Sequence, residues 1–69
     1  MKKYVFSHIS FFDNVLTSKV VASDLSALEV AIQELVNQGW DLADEGTSDL
    51  EELKNFAFNC ECMFEIIEV

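Results

Sequence analysis

A helical pattern of apolar residues at 25–38 constrains this fold more than any other feature of the sequence. Leu25, Leu28, Ile32 and Leu35 recur at intervals of three and four residues, which places them along one stripe of an α-helix. Because an amphipathic helix must bury its stripe against another apolar layer, we expect it to pack on a sheet formed by the flanking segments. The polar residues predict its solvent side: Glu29, Gln33, Glu34 and Asn37.

The ends of this helix carry start and stop signals. Ser23-Asp24 is one candidate cap, and Ser26 followed by Glu29 fits a capping box, so two starting points remain open. Gly39 follows the last helical residue, where glycine commonly ends a helix because it adopts the left-handed conformation without strain.

A β-hairpin is predicted before the helix. Residues 3–9 and residues 15–22 are rich in β-forming side chains, and Asp13-Asn14 between them suits a tight turn. Alternation places three residues on one face of the first strand: Tyr4, Phe6 and His8.

The second half of the chain predicts a short helix and a closing strand. Trp40 and Leu42 favour a short extended segment, and the capping pair Ser48 and Glu51 precedes a helix at 49–56. Residues 58–69 alternate as a strand with an acidic outer side. Its apolar face is predicted to hold Phe58, Cys60, Cys62, Phe64 and Ile66.

These elements predict an α+β fold with a three- to four-stranded, mainly antiparallel sheet. The order is ββα(β)αβ, with one long helix and one short helix packed on the sheet, and residues 1–69 are expected to form a single compact domain. Trp40, Phe11 and Phe12 are large aromatic residues that are expected to contribute to the core rather than to anchor a partner.

The charge balance excludes several classes of function. Thirteen acidic residues and four lysines, with no arginine, give a formal charge of −9. Direct nucleic-acid binding requires a basic surface, and an acidic surface also repels anionic membranes. A negative surface attracts basic ones, which commonly belong to proteins that hold nucleic acid. The sequence therefore predicts a protein partner with a basic surface.

An acidic stretch in the second half is the candidate docking site. Its six carboxylates are predicted to bind the partner: Asp41, Asp44, Glu45, Asp49, Glu51 and Glu52. Such a cluster can imitate the phosphates of nucleic acid, and the alternative is that it only keeps a hydrophobic small protein soluble. Both interpretations remain open at this point.

Metal and catalytic sites are not predicted. The acidic stretch places acidic residues or glycine at five positions of a calcium loop, but Ala43 occupies a position that needs an oxygen ligand. His8, Cys60 and Cys62 offer only three zinc ligands at an uninformative spacing. No nucleophile–base pair or glycine-rich phosphate loop is present, so we expect no enzyme activity and no cofactor.

The large apolar fraction predicts self-association. Apolar residues make up 51% of a chain of 69 residues, and a domain of this size buries only about 60% of its unfolded surface. Exposed strand edges also invite pairing, so a homodimer is expected. The chain has no apolar run of about 18 residues and no recognisable signal peptide, which predicts a cytoplasmic protein.

Two resemblances bear on function. The segment Gly39-Trp40-Asp41-Leu42, after a hairpin and a helix, resembles a "GWEL" element of uncharacterised small bacterial domains. In size, acidity and compact α+β design, the chain is similar to phage-encoded inhibitors such as anti-CRISPR proteins. That similarity implies a stoichiometric blocker of a nucleic-acid-handling complex, acting in the host cytoplasm. The alternative is a dimeric structural or adaptor protein.

Overall fold

The computed structural model describes residues 1–41 and 49–69. Their helices and strands are, in chain order, β1 (Lys2–Ser10), β2 (Leu16–Ser23), α1 (Ala27–Asn37), α2 (Leu50–Asn59) and β3 (Cys62–Glu68). The three strands form one antiparallel sheet in the order β2-β1-β3. The α+β fold with an antiparallel sheet and two helices is therefore confirmed. Trp40 and Asp41 are not in a strand, and Leu42, also part of the predicted extended segment, lies outside the described residues.

The predicted hairpin turn lies between β1 and β2. Asn14 adopts a left-handed conformation with φ of 55°, which Asn tolerates better than most residues. Its backbone N–H donates to the carbonyl of Ser10 at 2.9 Å, and the Asp13 carboxylate accepts from the N–H of Val15 at 3.2 Å. The pair Asp13-Asn14 thus reverses the chain as predicted.

Helix α1 begins at the second of its two candidate caps. The Ser26 hydroxyl accepts from the backbone N–H of Glu29 at 3.3 Å and lies 3.2 Å from the Glu29 carboxylate, to which it donates. Ser26 is therefore the predicted N-cap, while the Glu29 carboxylate binds the Ser26 hydroxyl rather than the backbone N–H that completes a capping box. After the helix, Gly39 has φ of 98°, which is the left-handed conformation expected just beyond a helix end.

Helix α2 is longer than predicted, and β3 starts later. The helix continues to Asn59, so Phe58 belongs to it and Cys60 caps its end. The predicted strand start at residue 58 is therefore wrong. Two patterns overlap here, because Leu53 and Ala57 are four residues apart and both buried, while Phe58 also shares the alternation of the following strand. Packing of this helix against the sheet selects the helical period.

The core lies between the sheet and the two helices. Residues buried at the centre of this layer are Phe6, Ala31, Leu35, Leu53, Ala57, Cys62 and Phe64. The rings of Phe6 and Phe64 stack across β1 and β3 with centroids 5.7 Å apart. Leu28 and Ile32 are only partly buried at the border of this cluster. At the edge of the layer, the Tyr4 hydroxyl donates to the carbonyl of Leu25 at 2.8 Å.

The predicted solvent side of α1 is wrong at one position. Glu34 is 9% exposed and forms an ion pair with Lys19 at 2.8 Å. Lys19 lies opposite Phe6 in the strand register, so its side chain points to the helix side of the sheet. Val36, two residues after Glu34 in the same helix, is 48% exposed although it is apolar. The helix is rotated so that this ion pair closes the β2 side of the core.

The aromatic residues outside the centre take different positions. Trp40 is partly buried and packs edge-to-face on Phe56, with centroids 5.7 Å apart, as a border residue of the core. Phe12 is 78% exposed at the hairpin, and Phe11 meets Phe58 only at the periphery. The expectation that Phe12 contributes to the core is wrong, because the tight turn directs it into solvent.

Candidate interaction surfaces

Four of the six carboxylates predicted to bind a partner are described by the structure, and all four are exposed. We call the three at the start of α2, Asp49, Glu51 and Glu52, the acidic end, whereas Asp41 lies beyond the end of α1. The other two, Asp44 and Glu45, lie outside the described residues. Asp49, Glu51 and Glu52 stand together at the start of α2. Three of the six predicted carboxylates therefore share one helix end.

The start of α2 also explains why acidic residues stand there. The Asp49 carboxylate accepts from the backbone N–H of Glu52 at 2.8 Å and so caps the helix. Glu51 and Glu52 occupy the first turn, where negative charge interacts favourably with the helix dipole. The cap role belongs to Asp49 and not to the predicted Ser48, which lies outside the described residues. The acidic end thus stabilises α2 as well as presenting charge.

A second surface was not predicted from the sequence: the side of the sheet that faces away from the helices. We call it the open face. Three rows of its side chains cross all three strands, Leu16–Ile9–Met63, Ser18–Ser7–Glu65 and Val20–Val5–Ile67, and the pair Lys3–Ala22 continues the face on β1 and β2. Two apolar rows thus flank one polar row. The available signal was that both alternating sets of residues in these strands are largely apolar.

The apolar rows of the open face are accessible. The four outer side chains are exposed by 66% at Leu16, 64% at Val20, 47% at Met63 and 59% at Ile67. Because the middle row holds two small serines, a groove of about 130 Å³ lies between Leu16 and Met63. Exposed apolar side chains that are grouped in adjacent rows, rather than scattered singly, are typical of an interaction site.

The open face carries little charge. Of the nine residues in these three rows only Glu65 is ionisable, and its carboxylate binds the Lys54 ammonium at 3.1 Å, while Lys3 continues the same face on β1. The hydroxyls of Ser7 and Ser18 lie 3.1 Å apart and share a hydrogen bond. The polar atoms of the middle row therefore have partners within the molecule, which lowers the cost of covering this surface.

His8 lines a separate cavity of about 260 Å³ beside the hairpin. Ser10, Asp13, Thr17 and Gln38 are among its other walls. The Nε2 atom of His8 is buried without a hydrogen-bond partner in the described part of the chain. Burial lowers the pKa of His8, and the nearby Asp13 carboxylate opposes this only in part. His8 is therefore neutral at physiological pH.

The two cysteines lie where the chain passes from α2 to β3, Cys60 as the cap of the helix and Cys62 as the first residue of the strand. Cys60 is exposed and Cys62 is buried in the core. Burial raises the pKa of the Cys62 thiol, the neighbouring Cys60 adds to this, and a hydrogen bond with Ser10 opposes it. A buried thiol with a raised pKa is a poor nucleophile and metal ligand. The chemistry of Cys62 is that of a small apolar core residue.

Residues 1–41 and 49–69 contain no group of three or more histidine, cysteine or acidic side chains placed to hold a metal ion. Two residues of the calcium-loop pattern, Glu45 and Gly46, lie outside these ranges. No helix within the same ranges has the length and apolar character of a membrane-crossing segment.

No protein-family model matches the chain, and neither the curated proteins nor the solved structures contain a match.

Proposed function

We propose that this chain is a protein-binding module that docks its acidic end on a basic protein surface. In this proposal it acts as a stoichiometric inhibitor of a nucleic-acid-handling complex, in the cytoplasm, and not by catalysis. The observation that carries the proposal is the clustering of exposed carboxylates at the start of α2. Charge placed on one rigid helix end steers encounter with an oppositely charged surface more effectively than scattered charge.

The distribution of lysines supports this proposal. Two of the four lysines form ion pairs with carboxylates outside the acidic end, Lys19 with Glu34 and Lys54 with Glu65. Lys2 and Lys3 lie at the start of β1. The acidic end is therefore a negatively charged part of a molecule whose overall formal charge is −9. A basic surface that normally holds phosphates fits this field.

The test replaces the carboxylates of the acidic end, together with those of Asp44 and Glu45, by amides of similar shape. The variant carries Asp44→Asn, Glu45→Gln, Asp49→Asn, Glu51→Gln and Glu52→Gln, and its formal charge rises from −9 to −4 because five charges are removed. Asparagine caps a helix about as well as aspartate, so α2 should persist. Immobilised wild type and variant are exposed to extract of the native host cell, and retained proteins are quantified by mass spectrometry.

A matched control removes five exposed carboxylates elsewhere and reaches the same net charge of −4. It carries Asp13→Asn, Asp24→Asn, Glu29→Gln, Glu61→Gln and Glu68→Gln. We expect the wild type and this control to retain the same basic protein, and the acidic-end variant to lose it. Raising salt from about 0.1 M to 1 M should release it, because the screening length falls from about 10 Å to 3 Å. Equal retention by all three proteins would contradict the proposal.

A dimeric structural or adaptor protein is the second candidate function. The observation that favours it is the open face, because an exposed apolar sheet surface is better explained by a contact than by solubility. The two candidates use different surfaces, and one protein can use both.

A further inference from the structure

We propose that the cavity beside the hairpin binds a small ligand that carries a guanidinium group. The cavity has a volume of about 260 Å³, and its walls include His8, Asp13, Thr17 and Gln38. Pockets for drug-sized ligands measure about 300–1,000 Å³, so this one suits a smaller molecule. The inference is independent of the acidic-end proposal, because the acidic end, at the opposite end of α2, contributes none of the described walls.

The ends of both helices lie beside the hairpin. Gln38 caps the end of α1 and lines the cavity together with Asp13 of the hairpin. The end of α2 reaches the hairpin as well, because the carbonyl of Glu61 accepts from the backbone N–H of Phe11 at 2.9 Å. The C-terminal end of a helix carries partial negative charge, and neither helix has a basic residue in its last turn to compensate it. The backbone alone therefore favours a cation here.

The formal charge of the cavity has the same sign. Asp13 is exposed, and its carboxylate accepts from the N–H of Val15 at 3.2 Å but forms no ion pair within residues 1–41 and 49–69. None of the four lysines is among the described walls, because two form ion pairs with glutamates and two lie at the opposite end of β1. An uncompensated carboxylate in a concave site attracts a cation.

The uncharged walls offer hydrogen-bond acceptors. The Thr17 hydroxyl donates to the carbonyl of His8 at 3.5 Å, which leaves the hydroxyl oxygen as an acceptor, and the side-chain carbonyl of Gln38 is another. His8 is 9% exposed, and its Nε2 atom has no hydrogen-bond partner in the described part of the chain. A neutral imidazole has one acceptor nitrogen, and we assign this role to Nε2. A ligand with N–H donors supplies the partner that this nitrogen lacks.

A guanidinium group fits these walls better than an ammonium group does. It is planar and permanently charged, and its several N–H donors can meet acceptors on different sides of the cavity at once. It is also more weakly hydrated than an ammonium group, so less hydration is lost when it enters a cavity that has an apolar wall at Val15.

The first experiment adds methylguanidinium to isotope-labelled protein at constant ionic strength and follows the backbone amides by NMR. Methylammonium has the same charge without the planar donors, and N-methylurea has planar donors without the charge. We expect saturable shifts at His8, Thr17 and Gln38 with methylguanidinium alone, with a dissociation constant in the millimolar range because few atoms make contact. Shifts that do not saturate, or that are as large with methylammonium, overturn the proposal.

Asp13→Asn and Glu68→Gln form a matched pair, because each removes one exposed carboxylate. Glu68 is the last residue of β3, away from the hairpin. Asparagine can still accept from the N–H of Val15, so the turn should persist in Asp13→Asn. This variant should bind methylguanidinium several-fold more weakly than the wild type, whereas Glu68→Gln should bind it unchanged. Equal affinities of the two variants overturn the proposal.

His8→Phe tests the acceptor at the buried wall, because phenylalanine keeps a ring of similar size without its nitrogens. We expect this variant to bind methylguanidinium several-fold more weakly, with an amide spectrum that shows a folded protein. If it does not fold, the imidazole nitrogen signals of the wild type provide the same test. A His8 Nε2 signal that stays in place when methylguanidinium saturates the protein overturns the assigned contact.

Agmatine and a capped Gly-Arg-Gly peptide distinguish two sources of the guanidinium group, a free compound and an arginine of a protein. We expect agmatine to bind at least as tightly as the peptide, because the cavity is small and the overall charge of −9 also attracts the second cationic group of agmatine. Tighter binding of the peptide would overturn the assignment to a free ligand.

Discussion

The two faces of the sheet are made by the same three strands, yet they have different surroundings. The covered face holds aromatic side chains such as Phe6 and Phe64, which stack beneath the helices. The open face holds aliphatic rows on either side of two serines and Glu65. The covered face buries the larger side chains, which bring the most apolar area per residue. Apolar residues on both faces of a strand thus need not mean that both are buried within one molecule.

Neighbouring residues on β3 give the largest expected contrast between the faces. Phe64→Ala should destabilise the protein by about 3–5 kcal/mol, because it leaves a cavity beneath the helices. Met63→Ala, one residue earlier and on the open face, should cost less than about 1 kcal/mol. Urea denaturation followed by Trp40 fluorescence measures both, at about 1 μM so that self-association contributes little. Similar losses at the two positions would mean that the faces are assigned wrongly.

Substitutions in α1 sharpen the comparison at the helix side of the core. Leu35→Ala should cost about 2–5 kcal/mol, because Leu35 is fully buried. Leu28→Ala should cost about 1–2 kcal/mol, because Leu28 lies at the border of the core. The sequence predicted an equal role for both. Equal losses in denaturant melts would restore that prediction and contradict the burial seen here.

The start of α2 separates the stabilising role of the acidic end from its charge. Asp49→Ala should cost about 1 kcal/mol, because the N–H of Glu52 loses its acceptor. Asp49→Asn should cost only a few tenths, because the asparagine oxygen can accept the same hydrogen bond. Thermal melts of the two variants measure the difference. An equal loss from both would show that the charge of Asp49, rather than its cap, stabilises the helix.

His8 on the covered face predicts the smallest effect, a dependence of stability on pH. Its pKa is lowered by burial, so the unfolded chain binds a proton that the folded protein rejects. The stability is fully present above the unfolded pKa of about 6.5 and is lost as pH falls from there towards the folded pKa. Denaturant melts between about pH 7.5 and 5.5 should show this loss.

His8→Gln is the control for the pH experiment, because it has no titrating group in this range. Its stability should change less than that of the wild type between the two pH values. A wild type and a His8→Gln variant with the same pH dependence would assign the effect to groups other than His8.

Local signals in the sequence predicted the elements that depend on a few neighbouring residues. The N-cap Ser26, the left-handed Gly39 and the turn at Asp13-Asn14 were all placed correctly, because each is set by contacts within five residues. The end of α2 was not, since Phe58 fits both a helix and a strand. Choosing between those periods requires the sheet on which the helix packs.

The two candidate surfaces also differ in whether the local sequence could predict them. The acidic end was predicted because charge in a short stretch of sequence remains together when the stretch forms one helix turn. The open face was missed because its rows join residues from three strands, and only the register places Val20 beside Val5 and Ile67. The burial of Glu34 was missed for the same reason, because its partner Lys19 belongs to another element.

The sequence by itself determined the two faces of each strand, the stripe of α1, the cap of α1 and the net charge. These follow from the fixed periods of the backbone and from side chains that act on their own neighbours. Only the tertiary structure decided which face of the sheet the helices cover, because both sets of side chains are apolar and alternation alone does not rank them. The aromatic face gains more from burial, and the open face keeps its apolar rows in contact with solvent.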